Sequence, residues 1–195
     1  MYSLFIDSHD KNVVIVLYKD GKVFKESIIE SGNKHSQIVM PELKKVFDSV
    51  GLSIRDVKEI FVCNGPGSFT GERIAVTIAK TIAYCINIPI KVIDCLRIGS
   101  LNIFDNVDRY VYLPDKKGAF IAGFNSNSDI IFDFVYLNNS DFISFIDGKN
   151  SYNINDLSID YNLIYNYLLS KDSMNAHAVK PLYVKGISAL DDKKN

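Results

Sequence analysis

Hydrophobic positions in the first half of the chain alternate between the two-residue period of strands and the 3.6-residue period of helices. This pattern predicts strands at 2–7, 13–18 and 23–29, a helix at 36–50, a strand at 60–63, a helix at 72–86, a strand at 90–93 and a short helix at 96–104. Asp20-Gly21 predicts a hairpin between the second and third strands, and Gly51 predicts the end of the first helix. Strands and helices in this order are typical of an α/β fold.

The second half of the chain has a weaker pattern. Apolar runs predict strands at 109–113, 119–124 and 130–135 and a helix at 160–170. Residues 137–159 are polar, rich in asparagine and without a clear period. Because residues 102–108 have the character of a boundary, we expect two lobes, 1–103 and a smaller 104–195, with a C-terminal tail that can return to the first lobe.

The predicted helix at 72–86 is apolar over about 200° of its circumference, about twice the stripe that packing on one sheet requires. One stripe contains Ile74, Ile78, Ile82 and Cys85, and its neighbour contains Ala75, Val76, Ala79, Ala83 and Ile86. Two interpretations stay open. Either the helix is buried in a layered core, or the isoleucines face the sheet and the small residues face a second helix or subunit.

A glycine-rich loop precedes this helix. Backbone N–H groups at a helix N-terminus attract anions, so the loop at 64–71 has the composition of a phosphate site. However, it lacks the Gly-Lys-Ser/Thr of a Walker A motif, and Thr70 stands where GxGxxG needs its third glycine. Ser68 also lacks the glycines two residues away on either side that a nucleophile elbow has. The residues therefore predict a strand-to-helix turn without a defined ligand.

Composition limits the classes of function. The chain has 195 residues, of which 22 are basic and 23 acidic, with a formal net charge of −1. This balance argues against tight binding of nucleic acid by this chain alone, because such binding depends on clustered Lys and Arg. We expect no signal peptide and no membrane-spanning segment, and therefore a cytoplasmic protein. Cys63, Cys85 and Cys95 have no CxxC spacing and are predicted to be buried thiols.

Few residues offer catalytic chemistry. His9, His35 and His177 lack the HxxxH and HExxH spacings of metal ligands, so the sequence predicts no metal site. Asp7 ends the first predicted strand. Two roles are open for it: capping of the following turn, or contact with a nucleotide's metal and phosphates as in the actin, hexokinase and Hsp70-like superfamily.

The glycine-rich loop resembles the signature of a known family. Gly65, Pro66, Gly67, Ser68, Phe69, Thr70 and Gly71, followed by Arg73-Ile74 and Ala79-Lys80, resemble the TsaB (YeaZ) family, as does Ile88-Pro89-Ile90 before the next strand. These proteins are subunits of the bacterial machinery that makes N6-threonylcarbamoyladenosine in tRNA. The resemblance is weaker at Ile6-Asp7-Ser8 and His35-Ser36. It implies an actin/hexokinase/Hsp70-like (ASKHA) fold of two lobes, the second shortened.

The resemblance also implies a function. It implies a non-catalytic scaffold or activator that pairs with the TsaD paralogue. The chain would reach the TsaE ATPase through the complex. It would contact the substrate, tRNA that reads ANN codons, only indirectly. ATP and metal are then expected on the partner subunits, and a homodimer is expected when the chain is alone. The family pairs through two helices, so the expected partner-binding residues are Met40, Lys44, Phe47, Val76, Ala79, Lys80 and Ala83.

An enzyme is the alternative. A small nucleotide-dependent phosphotransferase or ATPase of the same superfamily would use Asp7, here a possible remnant of a nucleotide site, together with the glycine-rich loop. Nucleotide binding by the isolated chain would favour this alternative.

Overall fold

A five-stranded sheet forms the centre of the first part of the molecule. The computed structural model describes residues 1–32 and 34–184. The strands are β1 (Tyr2–Asp7), β2 (Asn12–Lys19), β3 (Lys22–Glu30), β4 (Val57–Cys63) and β5 (Ile90–Ile93). Their order is β3-β2-β1-β4-β5, with β1, β2 and β3 antiparallel and β4 parallel to both β1 and β5. The predicted strands of the first half are thus confirmed.

The parallel pair at the centre of this sheet sets the position of the site. Ile6 of β1 lies beside Val62 of β4, so the next residues, Asp7 and Cys63, lie at the same carboxyl edge. Both strands are buried on both faces, which explains why they read as continuous apolar runs. Polar side chains at this edge are therefore placed together by register alone.

Two helices, α1 (His35–Ser49) and α2 (Phe69–Cys85), cover one face of the sheet. The first packs on β2 and β3, the second on β1, β4 and β5, and the two helices contact each other. Ser68 caps α2 by accepting a hydrogen bond from Gly71 N–H (3.3 Å). Both helices were predicted, and α2 begins three residues earlier because its first turn includes part of the glycine-rich loop.

The helix α5 (Tyr161–Leu169) covers the opposite face of the sheet. Tyr165 packs against Tyr18 and Phe61, with ring centroids 5.1 and 5.7 Å apart, and Tyr161 lies 6.1 Å from the ring of Phe5. Asp160 caps the helix by accepting from Asn162 N–H. Aromatic side chains thus fill the layer between the sheet and α5. Leu4 and Ile6 point to the other face of the sheet, toward α1 and α2.

The second compact unit contains a four-stranded sheet of order β8-β7-β6-β9. Its strands are β6 (Arg109–Asp115), β7 (Gly118–Phe124), β8 (Ile130–Asn138) and β9 (Ser151–Asn153), and its helices include α3 (Cys95–Leu101) and α4 (Asn139–Ile146). The helix α4 packs on β7 and β8. Neither α4 nor β9 was predicted, because their side chains alternate between polar residues and aromatic anchors such as Phe142, which packs on Tyr112.

The two units divide the chain discontinuously. The first contains Met1–Cys95 and Asp160–Pro181, and the second contains Leu96–Ile159 with residues 182–184. The expected division at 103/104 would assign α5 to the second lobe, whereas in the structure α5 packs within the first unit. The far end of the expected second lobe, residues 185–195, lies outside the described residues.

The orientation of α2 differs from the interpretation that places its isoleucines on the sheet. Ala75, Ala79 and Ala83 are at most 2% exposed and belong to the core of the first unit. Ile74, Ile78 and Ile82 are half-buried at its edge. Small side chains allow the helix axis to approach the sheet and α1 closely, so the alanines face inward. Of the two open interpretations, burial in a layered core is the one observed.

Candidate functional site

The glycine-rich loop packs against the turn between β1 and β2. Ser68 N–H donates to the carbonyl oxygen of His9 (2.6 Å), and the Ser8 hydroxyl donates to the carbonyl oxygen of Gly71 (2.7 Å). A Cβ on Gly67 would overlap the carbonyl oxygen of His9, and one on Gly71 would overlap that of Ser8. These two glycines are therefore explained by the close approach of the chain's own backbone.

Glu72 is buried inside the same loop. Its side chain fills the space beside Gly65, where a Cβ would lie 2.6 Å from the carboxyl group, and Gly65 has a φ of +102°. Burial raises the pKa of Glu72 to about 7, and a hydrogen bond from Gly67 N–H and the charge of His9 offset only part of that effect. A carboxylate in the first turn of a helix suits the helix dipole without being buried, so no feature of the sequence predicted the burial of Glu72.

Asp7 is engaged by the residue two positions after it. Its Oδ1 accepts from His9 N–H (2.9 Å), and Oδ1 and Oδ2 lie 2.8 and 2.9 Å from His9 Nδ1. Burial favours the neutral acid, but the charge and hydrogen bonds of His9 outweigh it and lower the pKa of Asp7. Burial also opposes the charge on His9, yet the Asp7 carboxylate raises the pKa of His9 well above its usual value. Asp7 thus caps the turn, one of its two predicted roles.

Two of the three thiols lie near this ion pair. Cys63 Sγ is 3.8 Å from His9 Nδ1, and Cys95 Sγ donates to the carbonyl oxygen of Pro66 (2.9 Å). Burial raises the pKa of both, that of Cys95 to about 11. The prediction of buried thiols is confirmed for Cys63 and Cys95 but is wrong for Cys85, which is exposed because it lies beside the isoleucine edge of α2.

One group of side chains could hold a metal ion. One donor atom each from Asp7, His9 and Cys63 lies within 4.8 Å of the others. The spacing rules used for the sequence examine histidine pairs along a single segment. They do not detect ligands from two strands and a turn.

The predicted partner-binding residues do not share one exposed surface. Phe47, Val76, Ala79 and Ala83 are at most 5% exposed and lie in the core of the first unit. They cannot present a face to a partner, because the sheet and the neighbouring helix already cover them. Met40 is 52% exposed, and Lys44 is exposed and paired with Asp48 (2.6 Å). The Lys80 ammonium donates to the carbonyl oxygen of His177 (3.3 Å).

Other side chains of α1 and α2 lie on the flanks along which the two helices face each other. On α1, Glu42 accepts from Ser27 of β3 (2.6 Å), so Met40 and Lys44, on the opposite flank, lie on the side of α2. On α2, Lys80 and Tyr84 contact His177, so the isoleucine flank lies on the side of α1. We call this region the two-helix surface. It consists of Met40, Lys44, Ile74, Ile78 and Ile82.

The sheet order and its mixed strand directions, with helices on both faces, define the first unit as a lobe of the actin/hexokinase/Hsp70-like (ASKHA) class, and the second unit is a shortened lobe. YeaZ from Pseudomonas aeruginosa has the same fold, with a TM-score of 0.77 at 14% identity over 93% of this chain and 99% of that chain. Among the described residues, no helix is long and apolar enough to cross a membrane.

Sequence comparisons narrow the class. Residues 29–108 match the family model described as TsaD, tRNA N6-adenosine threonylcarbamoyltransferase. The tRNA threonylcarbamoyladenosine biosynthesis protein TsaB of Bacillus subtilis is 34% identical over 102 residues, 52% of this chain and 44% of that protein. TsaB of Escherichia coli is 30% identical over 89 residues, 46% of this chain and 38% of that protein. Over these segments the chain is similar to proteins of the TsaB (YeaZ) family. The matched segment spans less than half of these relatives' length.

Proposed function

We propose that this protein takes part in forming N6-threonylcarbamoyladenosine in tRNA, as a non-catalytic subunit that pairs with a TsaD-type paralogue. The names of its relatives support a role in the formation of this modified nucleoside. The observation that carries the pairing is the two-helix surface, where a row of three half-buried isoleucines lies on the flank of α2 that faces α1, which carries the exposed Met40. Apolar side chains at successive turns of a helix, beside a second helix, suit packing against another pair of helices.

The geometry near Asp7 supports a scaffold rather than an enzyme. Both oxygens of the Asp7 carboxylate contact His9, and the side chain is 8% exposed. The loop amide that would suit a phosphate, that of Ser68, donates to His9 instead. We therefore assign ATP and the catalytic metal to the partner subunits, with TsaE reached through the complex.

The remaining parts of the proposal follow from charge and compartment. With 22 basic and 23 acidic residues, the chain contacts tRNA only through its partners. Because the proposed process acts on tRNA, we assign the protein to the cytoplasm. In the absence of the paralogue, the two-helix surface pairs with a second copy of itself, because a C2 interface can use the same patch on both subunits.

A charge on the two-helix surface tests the pairing. Ile78→Glu should weaken binding to the host's TsaD paralogue by at least about 100-fold, because a carboxylate replaces an apolar anchor at the centre of the interface. Ile28→Glu is the matched control. Ile28 is 50% exposed on β3 and points away from α1, because its neighbour Ser27 contacts Glu42. Sedimentation and co-purification measure binding, and reconstituted tRNA modification measures function.

Three results would count against the proposal. Binding that survives Ile78→Glu, or that is lost equally in Ile28→Glu, would exclude this surface. Binding of ATP by the isolated chain that disappears in Asp7→Ala would instead favour the phosphotransferase or ATPase.

A further inference from the structure

Three potential metal ligands converge on one point at the carboxyl edge of the central sheet. Asp7 ends β1, Cys63 ends the neighbouring parallel strand β4, and His9 lies in the turn that follows β1. The two strand ends are held side by side by backbone hydrogen bonds, so the separation of Asp7 and Cys63 is fixed by the sheet. The donor atoms of all three residues lie within 4.8 Å of one another.

We propose that Asp7, His9 and Cys63 form a binding site for one thiophilic divalent metal ion of the Zn²⁺ type. The donor set is one imidazole nitrogen, one thiolate sulfur and one carboxylate oxygen, which suits Zn²⁺ and Co²⁺ and is unsuited to Mg²⁺ or Ca²⁺. A carboxylate and a thiolate together carry two negative charges, which match a divalent cation in a buried position. The expectation of no metal site rested on histidine spacing, which this arrangement does not use.

The distances agree with this assignment. In tetrahedral coordination, with Zn–N of about 2.1 Å and Zn–S of about 2.3 Å, the two donors lie about 3.6 Å apart. His9 Nδ1 and Cys63 Sγ are 3.8 Å apart. A carboxylate oxygen would lie about 3.3 Å from the nitrogen in such a complex. The Asp7 oxygens at 2.8 and 2.9 Å must therefore withdraw by about 0.5 Å, which a small rotation of the side chain provides.

The surroundings hold the ligands in place. His9 N–H donates to Asp7 Oδ1 (2.9 Å) and fixes the carboxylate, as outer hydrogen bonds do in metal sites. The His9 carbonyl accepts from Ser68 N–H, which fixes the turn that carries the imidazole. Cys95 donates to the Pro66 carbonyl and is already satisfied. The site therefore offers three protein ligands, and a water molecule would complete the four-coordinate shell of a bound ion.

A thiol–imidazole–carboxylate catalytic set would use the same residues differently. In such a set the thiol and the carboxylate contact opposite nitrogens of the ring, so that a proton can be relayed between them. Here both Cys63 and Asp7 contact Nδ1. Donors that converge on one nitrogen suit coordination of an ion. They do not suit proton transfer through the ring.

Cobalt titration of the full-length protein tests the proposal. Protein stripped with EDTA under reducing conditions should bind one equivalent of Co²⁺ and gain thiolate-to-cobalt charge-transfer absorption, which one equivalent of Zn²⁺ removes. Cys63→Ser should abolish that absorption, and His9→Gln should weaken Co²⁺ binding by at least about 100-fold. Cys85→Ser is the matched control, because Cys85 is the exposed thiol and should leave both signals unchanged.

Three spectroscopic results would contradict the metal site. The proposal is overturned if wild-type protein gains no charge-transfer absorption, if the absorption persists in Cys63→Ser, or if Cys85→Ser removes it. Should Cys63→Ser fail to fold by circular dichroism, His9→Gln decides the matter, since its side chain lies in a turn and is 14% exposed. Zn²⁺ should then raise the melting temperature of wild-type protein and not that of His9→Gln. The result is independent of the pairing test, which uses another surface.

Discussion

Replacing Glu72 by Gln should make the protein more stable at pH 8 and change it little at pH 5. The Glu72 carboxyl group has an ordinary pKa of 4.5 and one of about 7 in the folded protein, where burial disfavours its charge. The fold therefore favours the protonated form. This contribution is fully present below the unfolded pKa and is lost as the pH rises through the folded pKa. Gln keeps the shape and the acceptor for Gly67 N–H while removing the charge.

The magnitude follows from the two pKa values. A difference of about 2.5 units at 1.36 kcal/mol per unit corresponds to about 3 kcal/mol, of which about 2.5 kcal/mol is lost between pH 5 and pH 8. Urea unfolding of EDTA-treated protein at both values measures it. Wild-type protein should lose stability over this range, partly because the raised pKa of His9 acts in the same direction. The difference between wild type and Glu72→Gln should isolate Glu72.

A surface glutamate provides the control for this experiment. Glu26 is exposed on β3, and Glu26→Gln should change the free energy of unfolding by no more than about 0.5 kcal/mol at either pH. If Glu72→Gln gives the same small change at pH 5 and pH 8, then the carboxylate is not held in a desolvated position. The packing of Glu72 against Gly65 would then be refuted.

Two further substitutions test the packing around α2. Ala79→Glu should destabilise the first unit by at least about 3 kcal/mol, because it introduces a charge at a fully buried position. Urea unfolding measures this loss of stability. A folded Ala79→Glu monomer would contradict the inward orientation of the alanines. Gly71→Ala should cost about 2–4 kcal/mol, because its Cβ overlaps the Ser8 carbonyl oxygen, whereas Gly148→Ala, with φ +69° and open space around it, should cost about 1 kcal/mol. Equal losses in the two glycine variants would contradict the close approach of the loop and the turn.

The sequence was sufficient to predict the strands of the first unit and the helices α1 and α2 that cover one face of its sheet. Their hydrophobic periods are strong, and their ends are marked by turn residues. The rotation of α2 could not be predicted. Its isoleucines and its alanines are both apolar, so the helical period gives the width of the apolar arc but not the part of it that faces the sheet. Cys85 was predicted to be buried for the same reason.

The candidate site shows a different limit. Asp7 was recognised from its place at the end of a strand, and one of its two predicted roles, turn capping, is observed. Its grouping with Cys63 depends on the pairing of strands more than 50 residues apart in the chain. Glu72 likewise meets Gly65 only after the loop folds. Contacts of this kind leave no periodic signal in the sequence.

The β1–β2 turn occupies the place that a phosphate group would take at the start of α2. The amide of Ser68 at the head of α2 is satisfied by the carbonyl of His9, which is tethered to the same chain. A tethered competitor acts at an effective concentration of the order of millimolar or higher. A free phosphate group would have to displace the His9 carbonyl oxygen before it could accept a hydrogen bond from this amide. Shortening the turn, rather than adding basic residues, would be the direct way to free this amide for an anion.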